Sequence, residues 1–172
     1  MSFFVDVHTH LTHKDFEFDR DEVIKEAVES GLEAIVVNGL EPISNRQILA
    51  MAKKYPQIKA ACGIYPIHAV HQLLPKDFPH MPKGFDVDEE VSFIVSQAKA
   101  GLLAAIGECG LDGYWLSENT FKAQEEVFER LIIIAKSYNL PVIVHSRKLE
   151  ERTIEILKSH KPLKVIMHCF GG

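Results

Sequence analysis

The chain has 172 residues, 47% hydrophobic and 25% charged, with a formal net charge of -5 at pH 7. This composition fits one sizeable core and excludes a disordered or fibrous chain. The mild acidity argues against a broad basic face for duplex nucleic acid, although a local grip on one or two phosphates stays open, because a bound metal ion adds charge that composition does not count.

No apolar run nears the roughly 20 residues of a membrane span. The first residues lack the basic region and cleavage site of a secretory signal. The three cysteines, Cys62, Cys109 and Cys169, form no CxxC pair. The expectation is a cytoplasmic protein in a reducing compartment, with no membrane association.

In chain order, short apolar runs alternate with longer helical patterns. Strands are expected at FFVDV, EAIVVN, KAACGI, LLAAIG, PVIVH and LKVIMH. The first helix has a capping signal at Asp19 with Glu22, then Val23 and Ala27, and a stop at Gly31. A second begins near Ser44, with Gln47 in the matching place, and ends before Pro56. A third runs from about Asp88 to Ala100. The fourth is the most strongly periodic: Val127, Leu131, Ile134 and Tyr138 share one face, flanked by Phe128, Ile132 and Ala135. The fifth covers Glu150 to Ser159. The proline-bearing segment from His68 to Phe85 reads as a long loop, a place where function often sits.

The strands are continuously apolar rather than alternating, which predicts a parallel sheet covered on both faces. Repeated βα units then leave an open doubly wound sheet or a (β/α) barrel. No linker or low-complexity tract divides the chain, so 1–172 is read as one domain.

The chemistry falls at strand ends. His8 and His10 close the first strand, Glu108 the fourth, His145 the fifth and His168 the sixth. Side chains two apart on a strand share a face, so the H-x-H pair aims both imidazoles one way. Each signal alone is weak, since a histidine at a strand end is usually a loop residue and a lone glutamate a solvated one. Four strand ends supplying metal-ligand types together point to a divalent-ion site on the C-terminal face, where barrel enzymes work. Histidine and glutamate donors suit Zn, Mn or Co, with Mg where carboxylate and water dominate. Such ions activate water for hydrolysis without a protein nucleophile. Neutral histidine ligands imply metal binding that weakens as pH falls through about 6.5.

The stretches DVHTHL, AIGECGLDGYW, LPVIVHSR and MHCFGG resemble the TatD family of metal-dependent hydrolases, the TatD-type deoxyribonucleases. They occur in the family's order and span nearly the whole chain. The resemblance implies a TIM-like (β/α) barrel of the metal-dependent hydrolase type. It also implies two divalent ions: His8 and His10 on one, His145 and His168 on the other, and Glu108 bridging them as the catalytic carboxylate. Arg147 becomes the candidate for holding substrate phosphate, and nucleic-acid ends or small phosphodiesters become the expected substrates. Zn, Mn and Mg are not distinguished, and the oligomeric state is left open.

Two departures stand out. GIYPIHA places Tyr65 where the family commonly has a histidine, with His68 in the same loop as a possible substitute. The family also continues through two further βα units to an aspartate after its eighth strand. A TIM barrel takes roughly 250 residues, so the expectation is a barrel truncated after the sixth strand. The alternatives are an amidohydrolase acting on a cyclic amide or ester, and a non-catalytic truncated remnant that only binds metal. Many amidohydrolases place a carbamylated lysine where this chain has Glu108.

Other residues have blander readings. His13, His71, His80 and His160 are expected on the surface. Cys109 and Cys169, each beside a candidate ligand, are weighed as soft metal ligands and read as small core fillers, and Lys53 and Lys54 read as a charge pair closing a helix. Asp6 is either a partner of the site or a plain strand-end carboxylate. Asp112 either orients a ligand or caps a turn.

Overall fold

A computed structural model describes residues 4–79, 81–161 and 163–171. His80 lies outside the described residues. Six strands alternate with helices: β1 (Phe4–Thr9), α1 (Arg20–Glu29), β2 (Leu32–Asn38), α2 (Pro42–Lys54), β3 (Ile58–Cys62), a short α3 (Pro66–Ala69), α4 (Val87–Lys99), β4 (Ala105–Asp112), α5 (Phe121–Ser137), β5 (Val142–Arg147), α6 (Glu150–Ser159) and β6 (Val165–Met167). All neighbouring strands pair in parallel, and their order across the sheet is their order in sequence.

That order decides between the two folds left open, because a doubly wound sheet reverses direction part-way. A second observation agrees. The rings of His8, at the end of β1, and His168, just after β6, stack with centroids 3.5 Å apart. Six strands laid flat would separate the outer two by about 24 Å. The sheet therefore curls until side chains from the C-terminal ends of its first and last strands meet, which is the TIM-like barrel arrangement.

The core lies between strands and helices. Val37, Ile58, Cys62, Ile106, Cys109 and Val144 meet Ile48, Ile94, Phe128, Leu131 and Ile132 from α2, α4 and α5. The periodic face on α5 packs as its spacing demands, with Val127, Leu131 and Ile134 buried. Two-sided cover holds for β4, buried at every residue. It fails at the outer strands: Phe4, Val5 and Val7 on β1 are exposed, as is Val165 on β6.

The helix starts differ from their sequence signals. Asp19 makes no side-chain cap at α1. At α2 the capping box is Glu41 with Ser44, one turn earlier than the Ser44–Gln47 reading. Glu41 accepts from the Ile43 and Ser44 amides, while Ser44 Oγ accepts from the Glu41 amide. Pro42 at the first helical position favours this earlier start, since its missing N–H would be unpaired there in any case. Lys53 and Lys54 do close α2, and Lys54 pairs with Asp21 on α1.

His71 is buried, contrary to the surface reading. Its Nδ1 lies 2.8 Å from the His68 carbonyl, its Nε2 accepts from the Phe85 amide, and its ring stacks on Phe85. It ties the start of the proline-bearing loop to its end.

Candidate metal centre

His8 lies near the end of β1, His10 and His168 follow β1 and β6 directly, and Glu108 and His145 sit within β4 and β5, which run on past the expected ends to Asp112 and Arg147. His8 and His10 share one face of β1, and their Nε2 atoms approach to 3.0 Å. Glu108, only 3% exposed, rises from β4 between the two halves of the site. Its Oε2 lies 3.4 Å from His8 Nε2 and 3.1 Å from His10 Nε2, and its Oε1 lies 3.2 Å from His145 Nδ1. His168 stacks flat on His8 and lines the same cleft of about 660 Å³, together with His10, His145, Tyr65 and Arg147. The structure thus brings together all five strand-end residues named from the sequence. Arg147 stands at the exposed rim with its guanidinium 3.6 Å from the centre of the Tyr114 ring.

Local sequence explains how Glu108 gets there. Gly63, just past β3, lets the β4 backbone come close: a Cβ at Gly63 would lie 2.4 Å from the Gly107 carbonyl carbon. Across that gap the Glu108 amide donates to the Gly39 carbonyl at 2.9 Å. Gly63 is gripped in turn by Asn45 of α2, whose Nδ2 donates to the Gly63 carbonyl and whose Oδ1 accepts from the Gly63 amide. Asn45 is braced by buried Glu90 of α4, which also pairs with Arg46.

Asp112 serves both of the roles left open by the sequence. It is fully buried. Oδ1 accepts from the Tyr114 and Trp115 amides, fixing the turn after β4, while Oδ2 lies 3.0 Å from His145 Nε2. Gln124 of α5 holds the Asp112 backbone from behind through both of its amide atoms. Asp6 accepts from the His8 amide and so is a partner of the site rather than a free strand-end carboxylate.

The electrostatics follow from this crowding. Burial opposes ionisation of Glu108, but the imidazoles of His10, His145 and His8 more than offset it and hold the carboxyl well below its usual range. Burial likewise opposes charging of His145, yet Asp112 and Glu108 on either side raise it to about 9. Tyr65 is pushed up by burial first and then by the Asp112 and Glu108 charges, so its hydroxyl, 3.4 Å from His145 Nε2, stays protonated. His68 does not reach the cleft lining; burial lowers its pKa, and its Nδ1 is left without a partner among the described residues.

These residues fit a divalent ion. The ligand atoms of His8, His10 and Glu108 all lie within 4.8 Å of one another. Donors about 2.0–2.2 Å from a shared ion sit roughly 3.3 Å apart on a tetrahedron, close to the spacings found here. The Asn38 carbonyl lies 3.1 Å from His10 Nδ1, which fixes that nitrogen as the donor and leaves the Nε2 lone pair facing Glu108. Cys109 is buried as a core filler. Cys169 is not one: it is exposed and lines the cleft.

Asn38, Asn45, Glu90 and Gln124 escaped the sequence reading. Asn38 acts through its backbone and leaves no signal. Gln124 and Glu90 did leave one, since each is a polar residue on an apolar helical stripe: Gln124 with Val127, Phe128 and Leu131, and Glu90 with Val91 and Ile94.

The model of the family described as TatD related DNase matches residues 5–172. The chain belongs to this family. It is 33% identical over 169 residues to the uncharacterized metal-dependent hydrolase YabD of Bacillus subtilis (strain 168), a match covering 97% of this chain and 60% of that one. It is 31% identical to the 3'-5' ssDNA/RNA exonuclease TatD of Erwinia amylovora, again covering 97% and 60%. Among solved structures, the TatD homolog YjjV of Escherichia coli K12 superposes with a TM-score of 0.80 at 26% identity, covering 98% of this chain and 61% of that one. This TatD-family chain thus spans about 60% of the length of the curated relatives it matches.

Proposed function

We propose that the protein is a metal-dependent hydrolase of phosphodiester bonds, acting on nucleic-acid ends or small phosphodiesters at a two-ion site. His8 and His10 hold one ion, His145 and His168 the other, and Glu108 bridges them. The observation that supports this most is the double engagement of Glu108, with Oε2 turned to His8 and His10 and Oε1 to His145. A carboxylate so placed can serve two ions at once. When bound, Zn, Mn or Mg would lower the pKa of a water to about 7 and draw charge from a phosphate oxygen.

The chain's own residues supply the rest. The Asn38 carbonyl and Asp112 set which nitrogen of His10 and of His145 faces inward. Arg147, at the rim, offers a planar pair of donors to a phosphate. Protonated Tyr65 adds a donor on the cleft wall. The nuclease reading draws on the Erwinia amylovora relative's name and on the family description. The cyclic-amide alternative is disfavoured, because Glu108 occupies the place where that chemistry often uses a carbamylated lysine. Among the described residues no helix is long and apolar enough to cross a membrane. The three free cysteines support the cytoplasmic setting.

The test is hydrolysis of bis(p-nitrophenyl) phosphate and of a single-stranded oligonucleotide by the chain loaded with Mn or Zn, beside Glu108→Gln. Metal-dependent turnover that disappears in the variant is the expected result. Undiminished turnover in Glu108→Gln would remove the bridging carboxylate from the mechanism.

A further inference from the structure

Glu90 is a buried carboxylate with no part in the cleft. It lies on α4, is 2% exposed, and is not among the residues that line the site. A buried ion pair is weak evidence for stability, since apolar residues of the same volume often do as well. Its presence calls for another reason, and its partners supply one. Oε2 accepts from Arg46, and Oε1 accepts from Asn45 Nδ2 at 2.7 Å. Asn45 in turn holds both backbone groups of Gly63: Nδ2 donates to the carbonyl at 2.9 Å, and Oδ1 accepts from the amide at 3.2 Å.

Asn45 also meets the other backbone segment that supports Glu108. A Cβ at Gly39 would lie 1.8 Å from Asn45 Oδ1, so the chain leaving β2 passes directly against the same side chain. Gly39 is the residue whose carbonyl receives the Glu108 amide, and Gly63 is the one pressed on the Gly107–Glu108 backbone. Both supports of Glu108 therefore meet at one carboxamide. That carboxamide works in one orientation only. With its ends exchanged, Oδ1 would face the Gly63 carbonyl and Nδ2 the Gly63 amide, and both bonds would be lost. The shape of asparagine does not select the orientation, because its two ends are nearly alike in size and differ only in donating and accepting. Glu90 does select it: a carboxylate paired with Arg46 only accepts, so the NH2 end must face it.

We propose that Glu90 is a positioning residue for the bridging carboxylate: it sets the orientation of the Asn45 carboxamide, which holds Gly63 and packs on Gly39, and through these two it fixes the backbone of Glu108. The inference rests on the two-ion reading of the site and extends its supports to α2 and α4 in the helix layer. Partners that orient metal ligands are worth roughly 10- to 100-fold in metal affinity. Glu90 acts through Asn45 and not on a ligand directly, so its effect belongs at the lower end, about tenfold.

Glu90→Gln keeps the volume and removes the selection. Arg46 draws the glutamine carbonyl, which turns the glutamine NH2 on Asn45 and forces the wrong orientation. Zinc affinity, read by competition with a chromogenic chelator, should fall about tenfold, and the visible spectrum of the cobalt-loaded chain should change. Adding Arg46→Met frees the glutamine to turn its carbonyl to Asn45 and should restore both. If Glu90 served only stability through its ion pair, the double variant would lose more and not less. Asn45→Ser, too short to reach both Gly63 groups, should show the same loss with no rescue by Arg46→Met. The control is Val127→Ala, at a buried position of α5, which should lower stability in denaturant and leave zinc affinity and cobalt spectrum unchanged. Wild-type zinc affinity in Glu90→Gln or in Asn45→Ser, or a loss in Glu90→Gln that Arg46→Met does not restore, would overturn the proposal. A wild type that binds neither zinc nor cobalt would instead sink the two-ion reading itself, a separate result from the comparison of variants.

Discussion

Replacing Asp112 by asparagine inverts a single hydrogen bond of the site and leaves its volume unchanged. Both backbone amides of the turn, Tyr114 N and Trp115 N, bond to the same oxygen, Oδ1, at 2.8 and 2.7 Å. An asparagine keeps that oxygen. What changes is Oδ2, now an NH2 facing His145 Nε2 across 3.0 Å. His145 must then turn its lone pair to Nε2 and carry its proton on Nδ1, 3.2 Å from Glu108 Oε1. That neutral tautomer still bonds Glu108, so the metal-free fold should lose little above about pH 9, where the wild-type His145 is also uncharged. It has no lone pair left for an ion beside Glu108. A hydrogen bond to a charged group is worth about 1.5–3 kcal/mol, and partners that orient metal-bound histidines are worth roughly 10- to 100-fold in affinity. Asp112→Asn should therefore weaken zinc binding by about 10- to 100-fold, read by competition with a chromogenic chelator, while the melting temperature in EDTA falls at neutral pH, where the Asp112–His145 ion pair is lost, and shifts only slightly above about pH 9. Zinc affinity within about twofold of the wild type, far below the usual effect of such partners, would refute the orienting role of Asp112. A variant that unfolds in EDTA would make Asp112 a purely structural residue.

His145, raised to about 9, gives a pH window with a definite sign. Its folded pKa lies above the unfolded value near 6.5, so its stabilisation of the metal-free chain is complete below about pH 6.5 and is lost as pH rises through about 9. Metal binding needs the neutral ring and so tightens over the same window; chelator-buffered titrations that stay flat between pH 7 and 9 would contradict this. Gly63→Ala pushes a methyl group into the Gly107–Glu108 backbone, with a Cβ 2.5 Å from the Glu108 carbonyl oxygen. It should cost about 1–3 kcal/mol in denaturant unfolding and weaken metal binding as well, whereas wild-type values in both assays would show that the close approach does not position Glu108.

The parallel βα units and the convergence of the strand-end side chains were legible because both are written in short-range patterns, whereas a barrel rather than an open sheet was implied only by the family resemblance. Apolar runs fix the strands, and ligand types at the ends of parallel strands must converge on one face. His8, His10, Glu108, His145 and His168 needed nothing further. Less legible was whatever depends on a partner distant in sequence. Asn45 grips Gly63 from 18 residues away, and Asp112 could be split between two roles only once His145 stood opposite its second oxygen. The raised pKa of His145 has the same origin, since the ring lies between two carboxylates that sequence alone does not place. His71 looked like a surface residue because it sits in a loop, and only the fold brings Phe85 over its ring. Cys169, expected in the core, turns outward with φ at 47°, because the strand before it stops at Met167 and the chain leaves the sheet.

The most direct test of the central claim is the number of divalent ions bound per chain, measured by elemental analysis after equilibrium dialysis against zinc or manganese, for the wild type and for Glu108→Gln. A bridging Glu108 between His8 and His10 on one side and His145 and His168 on the other predicts two ions in the wild type and a loss of affinity at both positions in the variant. Binding of no ion by the wild type, or of two ions with the same affinity in Glu108→Gln, would contradict it.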